Sequence, residues 1–89
     1  MNPKVTALVP TYRRPKYLKR AILSVLNQSY KDIELSIFDN ASGDNTKDIV
    51  SSLNENDSRI KYHCHSSNIG ALANFRYALK TVNTPYFSI

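Results

Sequence analysis

Short apolar runs alternate along this sequence with segments of helical periodicity. The first run, residues 5–9, is apolar and β-branched and is closed by Pro10, which predicts a buried strand. Pro15 suits the first turn of a helix, where its missing N–H has no partner to lose. Beyond it, one helical face is marked by apolar residues at i, i+3, i+4, i+7 and i+8: Leu18, Ala21, Ile22, Val25 and Leu26. This pattern predicts a first helix that ends near Gln28.

The same alternation continues in the middle of the chain. Residues 33–39 alternate between apolar and polar positions and end at Asp39, which predicts a second strand. Asp44 is a good N-cap for a second helix. The apolar positions of that helix are Ile49, Val50 and Leu53. A polar break then precedes a third strand over 59–64, in which one face is shared by Ile60, Tyr62 and Cys64.

The last third of the chain predicts one more helix and one more strand. After a polar loop that contains Asn68, the core-facing positions of a third helix are Leu72, Phe75, Ala78, Leu79 and Val82. Thr84 and Pro85 close that helix, and residues 86–89 begin a fourth strand. Since this strand has no following element to cover it, its edge favours a homo-oligomer.

The order of elements is β-α-β-α-β-α-β, which predicts an α/β fold with a Rossmann-like, open and mostly parallel sheet. In the common strand order 3-2-1-4 the chain reverses direction between strands 1 and 4. A ligand crevice then forms outside the carboxyl ends of the strands. Tyr12, Asp39 and Asn68 follow strands 1, 2 and 3, so all three are expected to face that crevice.

The composition indicates the number of domains and the cellular compartment. The chain has 89 residues, of which 42% are hydrophobic, and this suits one small domain over residues 1–89. The sequence has one cysteine and no apolar stretch as long as a signal peptide or a membrane span. These features predict a cytoplasmic protein without disulfides.

The formal net charge of +5 is concentrated in one segment. Five cations fall within eight positions without an intervening acid: Arg13, Arg14, Lys16, Lys19 and Arg20. Such a cluster suits an anionic partner, whether a phosphate, a nucleic acid or an acidic membrane surface. The alternative is a solvated helix face that only aids solubility. No recognisable nucleic-acid-binding module accompanies the cluster, which argues against nucleic acid.

The loops after strands 1 and 2 carry the candidate binding chemistry. The ring of Tyr12 could stack on a base, and the neighbouring arginines could grip a diphosphate with paired donors. Tyr12 could equally pack on the first helix. An ionised Asp39 only accepts hydrogen bonds, which matches an imide N–H or a ribose hydroxyl. Its alternative is a turn residue that bonds the backbone of Ala41 or Ser42.

The loop before the third helix carries Asn68 and Gly70, with Asn74 one turn further along. Free N–H groups at a helix N-terminus attract phosphate, although Asn68 could also be a plain N-cap or loop residue. The first strand is not followed by Gly-x-Gly-x-x-Gly, and no Gly-Lys-Ser/Thr loop exists. The usual dinucleotide-binding motif and the P-loop are therefore excluded.

Neither of two candidate metal motifs is complete. A calcium loop after Asp39 would need side-chain oxygens where Ala41 and Gly43 stand. His63 and His65 share a strand face, but two imidazoles are too few for a zinc site. No metal site is predicted within the chain.

Taken together, the motifs resemble the family 2 glycosyltransferases of the GT-A fold over nearly the whole chain. The segments that carry the resemblance are residues 5–12, 26–30, 33–44 and 68–74. The resemblance implies that the first strand and its loop line a nucleotide pocket and that Asp39 accepts a hydrogen bond from the base, often uracil. It also implies that Asn68 and Gly70 lie where the family closes over the donor. The predicted nucleotide-binding residues are Pro10, Thr11, Tyr12, Arg14, Asp39, Asn40, Asn68 and Gly70.

The resemblance also predicts what this chain lacks. In the family, the fourth strand leads into an Asp-x-Asp motif that binds a divalent metal and the sugar diphosphate, and the general base lies further on. We therefore expect the nucleotide-binding half of a GT-A domain, truncated before that motif, without catalytic residues and inactive alone.

For the full-length enzyme, the resemblance implies Mg or Mn, a UDP-sugar donor and an acceptor hydroxyl. The cationic cluster of the first helix, by its charge alone, suggests a peripheral membrane contact near a lipid acceptor. The competing interpretation is a nucleotide-binding α/β module without catalysis; a basic nucleic-acid-binding protein is less favoured.

Overall fold

The fold was analysed in a computed structural model that describes residues 5–27, 32–82, 84 and 86–88. Strands and helices alternate in chain order: β1 (Val5–Thr11), α1 (Pro15–Leu26), β2 (Ile33–Asp39), α2 (Thr46–Asn56), β3 (Ile60–Cys64), α3 (Ala71–Thr81) and β4 (Tyr86–Ser88). This order confirms the predicted α/β fold. The predicted ends at Gln28, Pro85 and Ile89 lie outside the described residues.

The four strands form one parallel sheet in the order β3-β2-β1-β4, as predicted. The direction of the chain therefore reverses between β1 and β4, where ligand crevices form in open α/β sheets. Thr11 and Asp39 are register partners at the ends of β1 and β2. Register partners point to the same face of a sheet, so these two side chains lie next to each other at its carboxyl edge.

Helices cover both faces of the sheet. The larger core lies between the sheet and the helices α1 and α2, and its buried members are Ala7, Leu18, Ile22, Ile33, Leu35, Ile37, Val50 and Ile60. The smaller core lies under α3 and consists of Leu8, Phe38 and Ala78. Strand β2 contributes to both cores, which explains why its residues are almost all buried.

Strand β1 is longer than its sequence predicts, because Pro10 does not end it. The carbonyl of Thr11 accepts the Asn40 N–H at 2.9 Å, so the backbone of Thr11 points toward β2. The backbone of Pro10 then points to the opposite side, toward β4, whose described residues pair with β1 from Val5 to Ala7. Among the described residues, therefore, no ladder bond needs the N–H that proline lacks.

The start of α2 differs by one residue from the prediction. The N-cap position belongs to Asn45, whose side chain makes no capping bond, and Asp44 lies just outside. The Asp44 carboxylate nevertheless accepts the Thr46 backbone N–H at 2.9 Å and also the Thr46 hydroxyl. These bonds hold the pKa of Asp44 below its usual range. Asp44 thus satisfies the first turn of the helix from one position further out.

The predicted core position at Leu72 is wrong. Leu72 is 62% exposed, whereas Asn74 and Ala78 are the buried residues of α3. Asn74 and Ala78 are four residues apart and share one helical face, so the polar Asn74 takes the inward position in the first turns. Leu72 is consequently directed away from the sheet.

Candidate functional site

A cleft of about 470 Å³ lies at the carboxyl end of β1, at the edge where the chain reverses direction. Its volume lies within the usual range for small-molecule sites. Five predicted binding residues line it: Pro10, Thr11, Tyr12, Arg14 and Asn40. The other walls come from β1, α1 and α3 and consist of Val9, Tyr17, Leu18, Ala21, Ala71 and Asn74.

Asp39 lies beside this cleft but is only 2% exposed. One carboxylate oxygen, Oδ1, accepts the Ser42 backbone N–H at 3.0 Å and the Ser42 hydroxyl at 2.6 Å. The other, Oδ2, accepts the Tyr62 hydroxyl at 2.6 Å. Asp39 therefore makes the local turn contact that the sequence offered as an alternative. A carboxylate has about four acceptor positions, so three bonds leave one of them, on Oδ2, for a ligand.

The hydroxyl of Tyr62 serves as a hydrogen-bond donor to Asp39. Burial, together with the hydrogen bond to Asp39, raises the pKa of Tyr62 far above its usual range. Tyr62 consequently keeps its proton at neutral pH.

Ser42 joins the loops after β1 and β2. The Arg13 backbone N–H donates to the Ser42 hydroxyl at 2.8 Å, and Arg13 Nε donates to the Ser42 carbonyl at 3.2 Å. Arg13 has a φ of +51°, a strained left-handed conformation that these bonds hold in place. Its guanidinium also lies 5.2 Å from the centre of the Tyr12 ring. Arg13 thus has a structural role, whereas its neighbour Arg14 lines the cleft.

A second bridge connects Asn40 to the loop before α3. Asn40 Oδ1 accepts the Ile69 N–H at 2.8 Å, and Asn40 Nδ2 donates to Asn68 Oδ1 at 2.9 Å. Asn68 Oδ1 also accepts the Gly70 N–H at 2.8 Å. Gly70, not Asn68, is the N-cap of α3 and has a φ of +88°, which favours glycine. Asn68 and Gly70 are thus tied to the Asn40 loop and are not among the residues that line the cleft.

Asn74 is fixed from two sides. Its Nδ2 donates to the Phe38 carbonyl at 3.0 Å, and its Oδ1 lies 2.8 Å from His65 Nε2. Since an amide oxygen only accepts, the His65 ring must donate from Nε2. The ring of the second histidine, His63, stacks on Tyr77 at 4.9 Å. Asn74 thus connects α3, at the cleft wall, to the sheet. Its side chain does not bond Asn68 or Gly70 in the loop before α3.

The sequence model of the family described as "Glycosyl transferase family 2" matches residues 6–89. This chain belongs to glycosyltransferase family 2.

Named relatives agree with that membership. A GalNAc(5)-diNAcBac-PP-undecaprenol beta-1,3-glucosyltransferase of Campylobacter jejuni is 45% identical over 60 residues, which are 67% of this chain and 19% of that protein. An uncharacterized glycosyltransferase of Haemophilus influenzae is 33% identical over 86 residues, 97% of this chain and 34% of that protein. The chain thus spans between about a fifth and a third of the length of these relatives.

A solved structure shares the fold. A mannosyltransferase of Pyrobaculum calidifontis, solved in complex with GDP-Man and Mn²⁺, superimposes with a TM-score of 0.81 at 23% identity. The likeness covers 93% of this chain and 25% of that one. It confirms the family's α/β fold in this chain.

The metal that the family resemblance implies does not fit the described part of the chain. Among residues 5–27, 32–82, 84 and 86–88, no three His, Cys, Asp or Glu side chains lie close enough to hold a metal ion. The carboxylates at the end of β2 and in the loop after it already accept hydrogen bonds from the protein. Asp39 accepts from Ser42 and Tyr62, and Asp44 accepts from Thr46. No step is therefore assigned to a metal held by these residues. Within the same ranges, no helix is long and apolar enough to span a membrane.

Sequence reasoning named the Ser42 backbone as a possible partner of Asp39, but it missed the Ser42 hydroxyl and it missed Tyr62. A signal for Ser42 was present, because a hydroxyl three residues after an aspartate commonly closes a local turn. For Tyr62 the signal was the alternation of side chains between the two faces of a strand. Asp39 pairs with Cys64, and Tyr62 is two residues before Cys64, so all three lie on one sheet face.

Proposed function

We propose that this chain is the nucleotide-binding part of a glycosyltransferase that takes its sugar from a sugar nucleotide. The observation that carries the proposal is the cleft at the end of β1, which collects an aromatic ring, a guanidinium and two asparagine residues. Its place at the reversal point of the sheet is where α/β proteins bind nucleotides. The solved mannosyltransferase contains GDP-Man, which supports a nucleotide-sugar ligand in general.

Each wall of the cleft suits one part of the ligand. Tyr12 is 38% exposed, so its ring can stack on a base. The Arg13 guanidinium lies over the same ring, 5.2 Å from its centre. Arg14 can donate paired hydrogen bonds to a diphosphate. Thr11 supplies a hydroxyl at the end of β1, while the Asn40 amide bonds Asn68 and Ile69 and shapes the cleft wall. Tyr12 thus holds the base, and Arg14 holds the diphosphate.

We assign the choice of base to Asp39 and propose uracil. The carboxylate keeps one acceptor position, on Oδ2, after its bonds to Ser42 and Tyr62. Uracil presents one imide N–H on its pairing edge, which matches that position. Guanine presents two adjacent donors and would need a second free acceptor. A UDP-sugar is therefore the proposed donor.

The transfer of the sugar is proposed for the longer proteins to which this chain corresponds. In them, we propose that an acceptor hydroxyl attacks the anomeric carbon of the bound sugar, with the nucleoside diphosphate as leaving group. The competing interpretation, a binding module without catalysis, predicts the same cleft without turnover. Release of UDP from a UDP-sugar by a protein containing this chain, dependent on an added acceptor, would separate the two.

Calorimetric titration of the 89-residue chain with UDP, GDP and ADP tests the proposed ligand. We expect UDP to bind most tightly, and Tyr12→Ala to weaken its binding by about tenfold or more, as loss of a base-stacking ring does. Tyr77→Ala is the matched control, because Tyr77 is equally exposed at 39% and lies outside the cleft. UDP binding that survives Tyr12→Ala unchanged would remove this proposal.

A further inference from the structure

The outer face of α1 combines exposed cations with exposed apolar side chains. Lys16, Lys19, Arg20 and Leu23 follow the i, i+3, i+4, i+7 spacing of one helical face. The three cations are exposed, and Leu23 is 39% exposed. Tyr17, at the flank of this face, is 65% exposed. We call this surface, Lys16, Tyr17, Lys19, Arg20 and Leu23, the α1 outer face.

The charge of the α1 outer face is not neutralised within the described protein. The ion pair found in residues 5–27, 32–82, 84 and 86–88 joins Arg59 to Asp57 at the C-terminal end of α1, where Arg59 donates to the Leu26 carbonyl, and it involves no cation of the α1 outer face. Helix α1 itself contains no acidic residue. Three cations held together without carboxylates make a local positive potential, which attracts an anionic surface.

We propose that the α1 outer face docks on an anionic membrane surface. Lysine and arginine side chains there would meet lipid phosphates, and each contributes substantially to binding near a bilayer. Tyr17 and Leu23 would enter the boundary between headgroups and acyl chains, where aromatic and apolar side chains of interfacial helices lie. The helix would thus lie in the plane of the surface without crossing the bilayer.

The apolar side chains favour a membrane over a nucleic acid. A phosphate backbone is met by basic and polar side chains, and it offers nothing apolar for an exposed leucine to contact. Leu23 lies one turn after Lys19 and Arg20, so any flat anionic partner that meets these cations also meets Leu23. A bilayer accommodates both kinds of side chain on one face.

This docking would place the cleft close to the membrane. Leu18 and Ala21, on the inner side of α1, line the cleft together with Tyr17 at its flank. Because Tyr17 belongs both to the cleft wall and to the α1 outer face, the cleft would open beside the bilayer surface. Membrane docking would thus bring the nucleotide-binding cleft to the bilayer surface.

Vesicle co-sedimentation of the 89-residue chain tests the proposal, with phosphatidylcholine vesicles compared with vesicles that also contain phosphatidylglycerol. We expect binding only to the anionic vesicles. The variant Lys16→Gln, Lys19→Gln, Arg20→Gln is expected to weaken that binding by about a hundredfold, at roughly fivefold per charge. Glutamine is a good helix former, so α1 should persist, which circular dichroism would verify.

A matched variant separates the α1 outer face from overall charge. Lys47→Gln, Lys61→Gln, Lys80→Gln removes three exposed lysines elsewhere, so both triple variants fall from the formal charge of +5 to +2. We expect this control to bind anionic vesicles within about threefold of the wild type, because charges beyond a Debye length contribute little. In addition, Leu23→Ser should weaken the binding that remains at high salt.

Three results would overturn the proposal. The first is no binding to anionic vesicles, and the second is an equal loss in the two triple variants. The third is binding to a DNA or RNA oligonucleotide, lost in the α1 variant, that is tighter than vesicle binding at the same salt concentration. That third result would assign the α1 outer face to nucleic acid.

Discussion

Asp39→Asn is expected to lower the affinity for UDP by between about tenfold and a hundredfold while leaving the fold in place. The asparagine keeps one oxygen for the two bonds from Ser42, and its amide N–H can donate to the Tyr62 hydroxyl. Toward the ligand, however, it presents a donor where the base also presents a donor. A lost hydrogen bond to a charged group is worth about 1.5–3 kcal/mol, which sets the expected range.

Two control variants make this measurement specific. Asp44→Asn changes an exposed aspartate outside the cleft and should leave UDP affinity unchanged. Tyr62→Phe removes one of the three bonds to Asp39 but keeps its charge, so UDP should still bind. If Asp39→Asn binds UDP as tightly as the wild type and remains folded, the role assigned to Asp39 is wrong.

Ile37→Ala is expected to have the largest effect on stability, lowering the free energy of unfolding by about 2–5 kcal/mol. Ile37 is fully buried in the larger core and lies in β2, between Val9 of β1 and Tyr62 of β3. Alanine would leave a cavity that strands paired on both sides cannot close. Urea unfolding of the 89-residue chain, followed by circular dichroism, measures the change.

The matched control for Ile37→Ala is Leu72→Ala, which shortens an apolar side chain that is 62% exposed. We expect it to change the free energy of unfolding by no more than about 0.5 kcal/mol, as surface substitutions usually do. Equal losses for the two variants would contradict the arrangement of the core. They would mean that α3 packs by the face that its sequence periodicity predicts.

The sheet could be predicted because strand β2 carries an unusually clear signal. Its alternation over Ile33, Leu35 and Ile37 ends at Asp39, and the structure places the strand over the same residues, Ile33–Asp39. Parallel strands with intervening helices leave few permitted topologies, so the strand order followed from the element order. The family and its α/β fold followed from the same ordered segments and are confirmed.

The cleft was partly predictable, since residues that directly follow a parallel strand reach the same edge of the sheet. Tyr12 and Arg14 come just after β1, and Asn40 just after β2, and all three line the cleft. Asn68 and Gly70 follow β3 in the same way but do not line the cleft, and the Asn68 side chain bonds Asn40 and the Gly70 N–H instead. Such bonds depend on rotamers that the sequence pattern does not specify.

Individual contacts between distant segments were not predicted. The bond from Arg13 to Ser42 spans 29 residues, and the bond from Tyr62 to Asp39 spans 23. Both require the tertiary arrangement of two loops or two strands. The same holds for Asn74, which occupies an inward position of α3 because the Phe38 carbonyl and His65 satisfy its amide. A periodic pattern would assign that position to an apolar residue. The homo-oligomer, the cytoplasmic location and the divalent metal of the longer proteins stay predictions.

Amide chemical-shift mapping of the isotope-labelled chain during titration with UDP would locate the nucleotide in the cleft at the end of β1. We predict saturable shift changes concentrated at Thr11, Tyr12, Arg14, Asn40 and Asn74, which line the cleft. Helix α2 (Thr46–Asn56), which contributes nothing to the cleft, should show small changes. Shift changes centred on α2, or no shift changes at high UDP concentration, would mean that the cleft does not bind the nucleotide.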